Sequence, residues 1–183
     1  MSNEDCFGKI MDSSVNTKKT LLPIDIKLYL PHRDPMLMVD MILEMDDEKV
    51  ETIFKIKEGN VFLENDFFIE SGLIENMAQT CCSVVAKDYF IDENNNDKAG
   101  VNVIGFISGI KTLKIHSLPQ IGTTIYTKAI LISKFITDSY SLCTMKCQTF
   151  KADEVLLDGE ITLFIRPTPS DNSGVPEGER VKK

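Results

Sequence analysis

The chain has 183 residues, 43% of them hydrophobic and 26% charged, a size and balance suited to one soluble domain with a full core. Its net charge of -8 excludes non-specific nucleic-acid binding, which needs a basic surface to displace counterions. No apolar run approaches the roughly 20 residues that span a bilayer and no charged, apolar leader opens the chain, so a cytoplasmic protein without a membrane partner is expected.

Residues 1–20 are polar, rich in Ser, Asn and Lys, and read as a mobile tail. From Leu21 the run Leu-Leu-Pro-Ile-Asp-Ile-Lys-Leu-Tyr-Leu predicts a short helix with Pro23 in its first turn, closed by Pro31. His32 to Pro35 is then a loop stiffened by two prolines. Over 50–57, Val50, Thr52, Phe54 and Ile56 share one face against Glu51, Lys55 and Lys57, the alternation of a half-buried strand. Phe67 and Phe68 form an aromatic plug before the next element.

Residues 71–90 predict one long helix. Its apolar residues, from Leu73 and Ile74 through Met77, Cys81 and Val85 to Tyr89, go nearly all the way round, which marks a central, wrapped helix. Gly72, Glu75, Gln79, Cys82, Ser83 and Ala86 make a mostly small side that a sheet can approach. A solvated loop follows at 92–98, then strands at about 101–115, 123–134, 139–150 and 155–165. Strand, buried helix and a run of antiparallel strands give an α+β fold, one sheet curled around one helix. The Pro, Gly, Ser and charged residues of 167–183 read as a disordered tail, leaving one domain at 21–166.

The five cysteines are Cys6, Cys81, Cys82, Cys143 and Cys147. Their odd number argues against a secreted disulfide scaffold, and no pair has the spacing of a zinc site, so no metal is expected. Buried small hydrophobes is the better reading. Cys143 and Cys147 are an even number of residues apart and share one face of a strand.

Two ionisable groups sit where packing alone rarely puts them. His32 lies between two prolines, and Glu75 lies in a helix that reads as buried. A base near neutrality and a desolvated carboxyl, brought together, are the parts of an acid/base site. Each also has a plainer use: Glu75 can complement the helix dipole, and His32 can hold its own turn. His116, the other histidine, stands at a strand end and reads as solvated.

The residues from about Ile24 to Ile165 resemble the hot-dog fold, and within it the 3-hydroxyacyl-(acyl carrier protein) dehydratases. Leu30-Pro31-His32-Arg33-Asp34-Pro35-Met36-Leu37-Met38-Val39-Asp40 is similar to that family's Leu-Pro-His-Arg-Tyr-Pro-Phe-Leu-Leu-Val-Asp. Asn65-Asp66-Phe67-Phe68 resembles its Asn-Glu-x-Phe-Phe, and Glu75-Asn76-Met77-Ala78-Gln79 its Glu-Ala-Met-Ala-Gln. Gly105-Phe106-Ile107-Ser108-Gly109-Ile110 looks like its tunnel-lining strand, and Leu118-Pro119-Gln120-Ile121-Gly122 resembles its Val-Pro-Gly-Asp turn. One departure is large. The family's Gly-His-Phe-Pro-Gly loop, with its catalytic histidine, is replaced by Ile69-Glu70-Ser71-Gly72. The short loop together with Gly105-Phe106 resembles a divergent branch, the hot-dog dehydratase-like proteins of aryl polyene and flexirubin-type pigment synthesis.

The resemblance implies dehydration of a 3-hydroxyacyl thioester on acyl carrier protein to the trans-2-enoyl thioester, with phosphopantetheine carrying the acyl group and no other cofactor. It implies Glu75 as proton donor, with Gly72 offering backbone N–H groups to the thioester oxygen. The family uses the position of His32 to hold the turn, and with the loop histidine missing His32 is the candidate for the base. Arg33 is expected either to pair with Asp34 or Asp40 or to meet the anionic phosphopantetheine. Gln79 and Gly105 are expected at the substrate, and Phe54, Phe67, Phe68, Met77, Phe106 and Ile107 along an acyl tunnel. A dimer with edge-joined sheets follows, with itself or with a homologous subunit. Two other functions stay open: a non-catalytic acyl-binding subunit completed by such a partner, and a hot-dog acyl thioesterase.

Overall fold

The computed structural model describes residues 20–90, 102–137 and 139–168, so residues 1–19 and 169–183 of the expected tails and the loop at 92–98 lie outside the described residues. Thr20, Pro167 and Thr168, expected in the tails, belong to strands. Nine strands and one long helix follow in order: β1 (Thr20–Asp25), β2 (Met41–Met45), β3 (Lys49–Lys55), β4 (Leu63–Glu64), β5 (Phe67–Phe68), α1 (Glu70–Phe90), β6 (Asn102–Ile115), β7 (Thr124–Ile136), β8 (Ser141–Lys151) and β9 (Glu154–Thr168). Seven strands make one antiparallel sheet in the order β1-β2-β3-β7-β8-β9-β6, and β4 pairs with β5 apart from it.

Alternation dictates which face of each strand is buried. In β8, Ser141, Cys143, Met145, Cys147 and Thr149 point inward, and the residues between them are partly exposed. Leu157, Ile161, Leu163 and Ile165 do the same in β9. Register shifts in β6, β7 and β9 bend these long strands, which lets the sheet curl. The concave face receives α1, which packs on β3, β6, β7, β8 and β9. Leu73, Met77, Cys81, Val84 and Val85 are buried there, as an apolar-all-round helix requires.

The expected helix from Leu21 is instead strand β1 followed by a short 3-10 turn, Ile26–Leu28. β1 is an edge strand with a register shift between Leu21 and Ile24, and that irregularity accommodates Pro23, which has no N–H to give a ladder. Asp25 then starts the turn, its carboxylate accepting the Lys27 N–H at 2.9 Å. No helix among the described residues is long and apolar enough to cross a membrane.

The helix and sheet enclose four buried cysteines. Cys81 Sγ lies 2.9 Å from Cys147 Sγ, and Cys82 and Cys143 are buried beside them. Burial, then the Glu75 and Cys143 charges, push the Cys82 thiol up to about 12, and burial raises Cys81 well above its ordinary value. The thiolate is the reactive form, so both residues stay unmodified by iodoacetamide at pH 8 in the native protein and react once guanidinium unfolds it. Peptide mass mapping reads this; native carboxamidomethylation of Cys82 would contradict the packing.

Candidate active site

Residues 31–40 form an irregular strap laid along α1. Leu37, Met38 and Val39 are buried, which pins the strap, and the Asp40 N–H joins the Ile53 carbonyl at 2.9 Å where β2 begins. Arg33 stiffens the end that carries His32. Its guanidinium donates to the Leu30 carbonyl at 2.9 Å and the His32 carbonyl at 2.7 Å.

His32 and Glu75 meet within one chain, with Nε2 of the imidazole 3.8 Å from Oε1 of the carboxylate. The side chains are 31% and 27% exposed, so Glu75 is half-buried rather than buried. That separation is beyond hydrogen-bond length, and both groups stay open to a ligand. Gln79, one helical turn beyond Glu75, fixes the carboxylate: its Nε2 donates to Glu75 Oε1 and to the Met36 carbonyl, both at 2.7 Å. The amide's sense is set by the Met38 N–H, which donates to Gln79 Oε1 at 2.8 Å and leaves only NH2 to face the carboxylate. Oε2 of Glu75 has no hydrogen-bond partner among the described residues. His32 Nδ1 is buried without a partner, so the ring has one unused nitrogen away from Glu75. The arrangement can move protons.

A family model described as ApeP dehydratase, of the ApeP-like group, matches residues 24–173. The chain belongs to the ApeP-like dehydratase family. The 3-hydroxyacyl-(acyl-carrier-protein) dehydratase FabZ of Petrotoga mobilis is 36% identical over 75 residues, 38% of this chain and 52% of that protein. The match thus spans about half the length of that relative. Among solved structures, the dehydratase heterocomplex ApeI:P from Xenorhabdus doucetiae aligns with a TM-score of 0.65 at 18% identity, covering 81% of this chain and 93% of that one. The uncharacterized protein PH1136 from Pyrococcus horikoshii aligns with a TM-score of 0.51 at 10% identity, covering 79% and 94%. The fold is the hot-dog fold, as the resemblance implied.

Several expected site residues of this ApeP-like chain have other uses. The Gly72 N–H donates to the Ile69 carbonyl at 3.0 Å, so it is not free for a thioester oxygen. Its glycine is a packing requirement: a Cβ there would lie 2.6 Å from the Phe68 ring and 2.7 Å from Phe62 Cβ. Arg33 pairs with neither Asp34 nor Asp40, because its guanidinium is turned onto carbonyls while Asp40 meets Lys57 at 3.2 Å. His116 is not merely solvated; its Nε2 lies 2.6 Å from Asp158 Oδ2.

The expected tunnel residues do not line one cavity. Phe54, Phe68 and Met77 are core side chains, with the Phe54 and Phe68 rings 5.8 Å apart. Phe106 cannot share a face with Gly105 or Ile107 on β6, and it points outward, 51% exposed and stacked on Phe164 at 5.0 Å. Phe67 is likewise exposed. A cavity of only about 20 Å³ does touch His32, walled by Tyr29, Leu30, Cys82, Val103, Gly105 and Ile165 among others. It exists because position 105 lacks a side chain: a Cβ there would stand 3.2 Å from Cys82 Sγ.

Sequence reasoning missed Asn76 and Cys82. Asn76 is 1% exposed, and its partners are Met38 and Thr127. The signal was present: a polar residue in a helix apolar all round must find partners for its amide. Cys82 follows Glu75 and Gln79 at helical spacing, which puts it on the site's side of α1.

Proposed function

We propose that the chain removes water from a 3-hydroxyacyl thioester held on acyl carrier protein, giving the trans-2-enoyl thioester. The observation that carries this is the approach of His32 Nε2 to Glu75 Oε1 at 3.8 Å. The imidazole takes the proton from C2, the C2–C3 double bond forms, and the 3-hydroxyl leaves as water with a proton from the Glu75 carboxyl. Membership of the ApeP-like dehydratase family and the likeness to FabZ support this chemistry. The same carboxylate could orient water for thioester hydrolysis, but a histidine facing it favours an elimination that needs both base and acid.

The catalytic unit also takes a second hot-dog subunit. The cavity at His32 is too small for an acyl chain, so another surface must complete the channel. β6 is an edge strand of 14 residues with Ile104, Phe106 and Ile110 exposed at 44%, 51% and 47%, an edge that invites pairing. That the solved ApeI:P dehydratase is a heterocomplex supports a homologous partner.

Intact mass of carrier-bound 3-hydroxyacyl substrate, with this chain alone and with a homologous subunit, tests the proposal. Loss of one water is expected. Release of free acid instead would establish a thioesterase, and an unchanged substrate in both arms would leave a non-catalytic acyl-binding subunit.

A further inference from the structure

At its centre the strap that carries His32 is held by helix side chains rather than by other backbone groups. Met38, at its buried centre, gives its N–H to Gln79 Oε1 at 2.8 Å and its carbonyl to Asn76 Nδ2 at 2.7 Å. Both side chains come from the helical turn that carries Glu75. The register between strap and helix is therefore set by two amides one turn apart. Gln79 touches Glu75 directly, whereas Asn76 touches neither ionisable group.

The proton inventory around Asn76 has one solution. Its NH2 faces the Met38 carbonyl, so Oδ1 must be the atom facing Thr127, which donates at 2.6 Å. The Thr127 proton is thereby committed, and Thr149 donates to Thr127 Oγ1 across 2.9 Å. The result is a directed chain from β8 through β7 to the helix and the strap: Thr149 to Thr127 to Asn76 to Met38. Asn76 and Thr127 are 1% exposed and Thr149 is 0% exposed, so water does not compete for any link. From Met38 the strap runs back to Met36, whose N–H donates to the Arg33 carbonyl at 2.9 Å, and Arg33 Nη1 grips the His32 carbonyl at 2.7 Å.

We infer that Asn76 is a positioning residue that sets the His32–Glu75 separation by fixing the strap to the sheet through Thr127. This rests on the dehydratase reading for its effect on turnover, but not for its effect on His32. A second buried hydroxyl pair, Thr52 and Thr80 at 2.7 Å, makes no hydrogen bond to the strap among the described residues, and because Thr52 lies opposite Thr127 in the β3–β7 pairing it is the control for core damage at the same place.

The test uses the full chain, with its partner subunit if one is needed for turnover. Asn76→Ala, Thr127→Val and Thr52→Val are compared by kcat, KM, melting temperature and the ring carbon resonance of His32 at fixed pH, with His116 as internal reference. Asn76→Ala is expected to lower kcat on the order of 100-fold, the scale of a misplaced catalytic group, and to shift the His32 resonance while His116 stays. Thr127→Val should shift it in the same direction by less, and it carries the test should Asn76→Ala fail to fold. Thr52→Val should lower the melting temperature without moving either resonance or kcat. The inference is overturned if Asn76→Ala and Thr127→Val leave the His32 resonance where it is and merely melt earlier, as Thr52→Val does. If the wild type eliminates no water yet Asn76→Ala moves His32, the dehydratase reading fails and the positioning role stands.

Discussion

Glu75→Gln lowers turnover of a 3-hydroxyacyl thioester by about 100-fold or more, the scale of a positioned acid or base. The replacement is close to isosteric and keeps an oxygen for the Gln79 amide, so the strap and helix stay in place. What it removes is the proton that the leaving hydroxyl needs. KM should change little, because the lost interaction belongs to the transition state rather than to ground-state binding. His32→Gln should fall by a similar factor, and the double variant little further, since two groups acting on one elimination are not additive. Steady-state rates at one pH on folded variants decide this; a Glu75→Gln enzyme as fast as the wild type would remove the carboxyl from the mechanism.

Phe68→Ala destabilises the fold by about 3–5 kcal/mol, the usual loss for a fully buried aromatic side chain. Phe68 is 0% exposed and packs beneath the start of α1, its ring centroid 5.8 Å from that of Phe54 and 6.4 Å from that of Phe62. Gly72 is where the helix accepts this ring, so no side chain stands ready to fill the void. The melting temperature should drop on the order of 10 °C. Its exposed neighbour is the internal control: Phe67→Ala should cost far less, and equal losses at the two positions would contradict the alternation of β5.

Much of the fold was legible because its elements have strong periods. The predicted helix at 71–90 is α1 within one residue, and the four predicted strands after it are β6 to β9 within three residues at each end. β1 was misread because Leu-Leu-Pro-Ile-Asp-Ile has no decisive period, and a proline fits a first helical turn as well as an irregular edge strand. Tertiary pairing with β2 settled it.

Within the site, residue types pointed to His32 and Glu75, but contacts at a distance decided the other roles. Gly72 is followed by apolar helix in either reading, and only the Phe68 ring above it shows why a glycine is needed. Gln79 and Asn76 lie 41 and 38 residues from their Met38 partners, a separation that no local pattern encodes. Phe106 shows the limit of transferring a lining role by segment, since one step along a strand reverses the face.

The central claim is that His32 and Glu75 together eliminate water. Its most direct test is to run the carrier-bound 3-hydroxyacyl substrate in deuterated water with the wild type and with Glu75→Gln, following the acyl mass. Wild-type protein should convert the substrate to the enoyl thioester and, in the reverse direction, return 3-hydroxyacyl thioester carrying deuterium at C2, whereas Glu75→Gln should do neither at a comparable rate. Unchanged substrate mass with the wild type, alone and with a homologous subunit, would contradict the account.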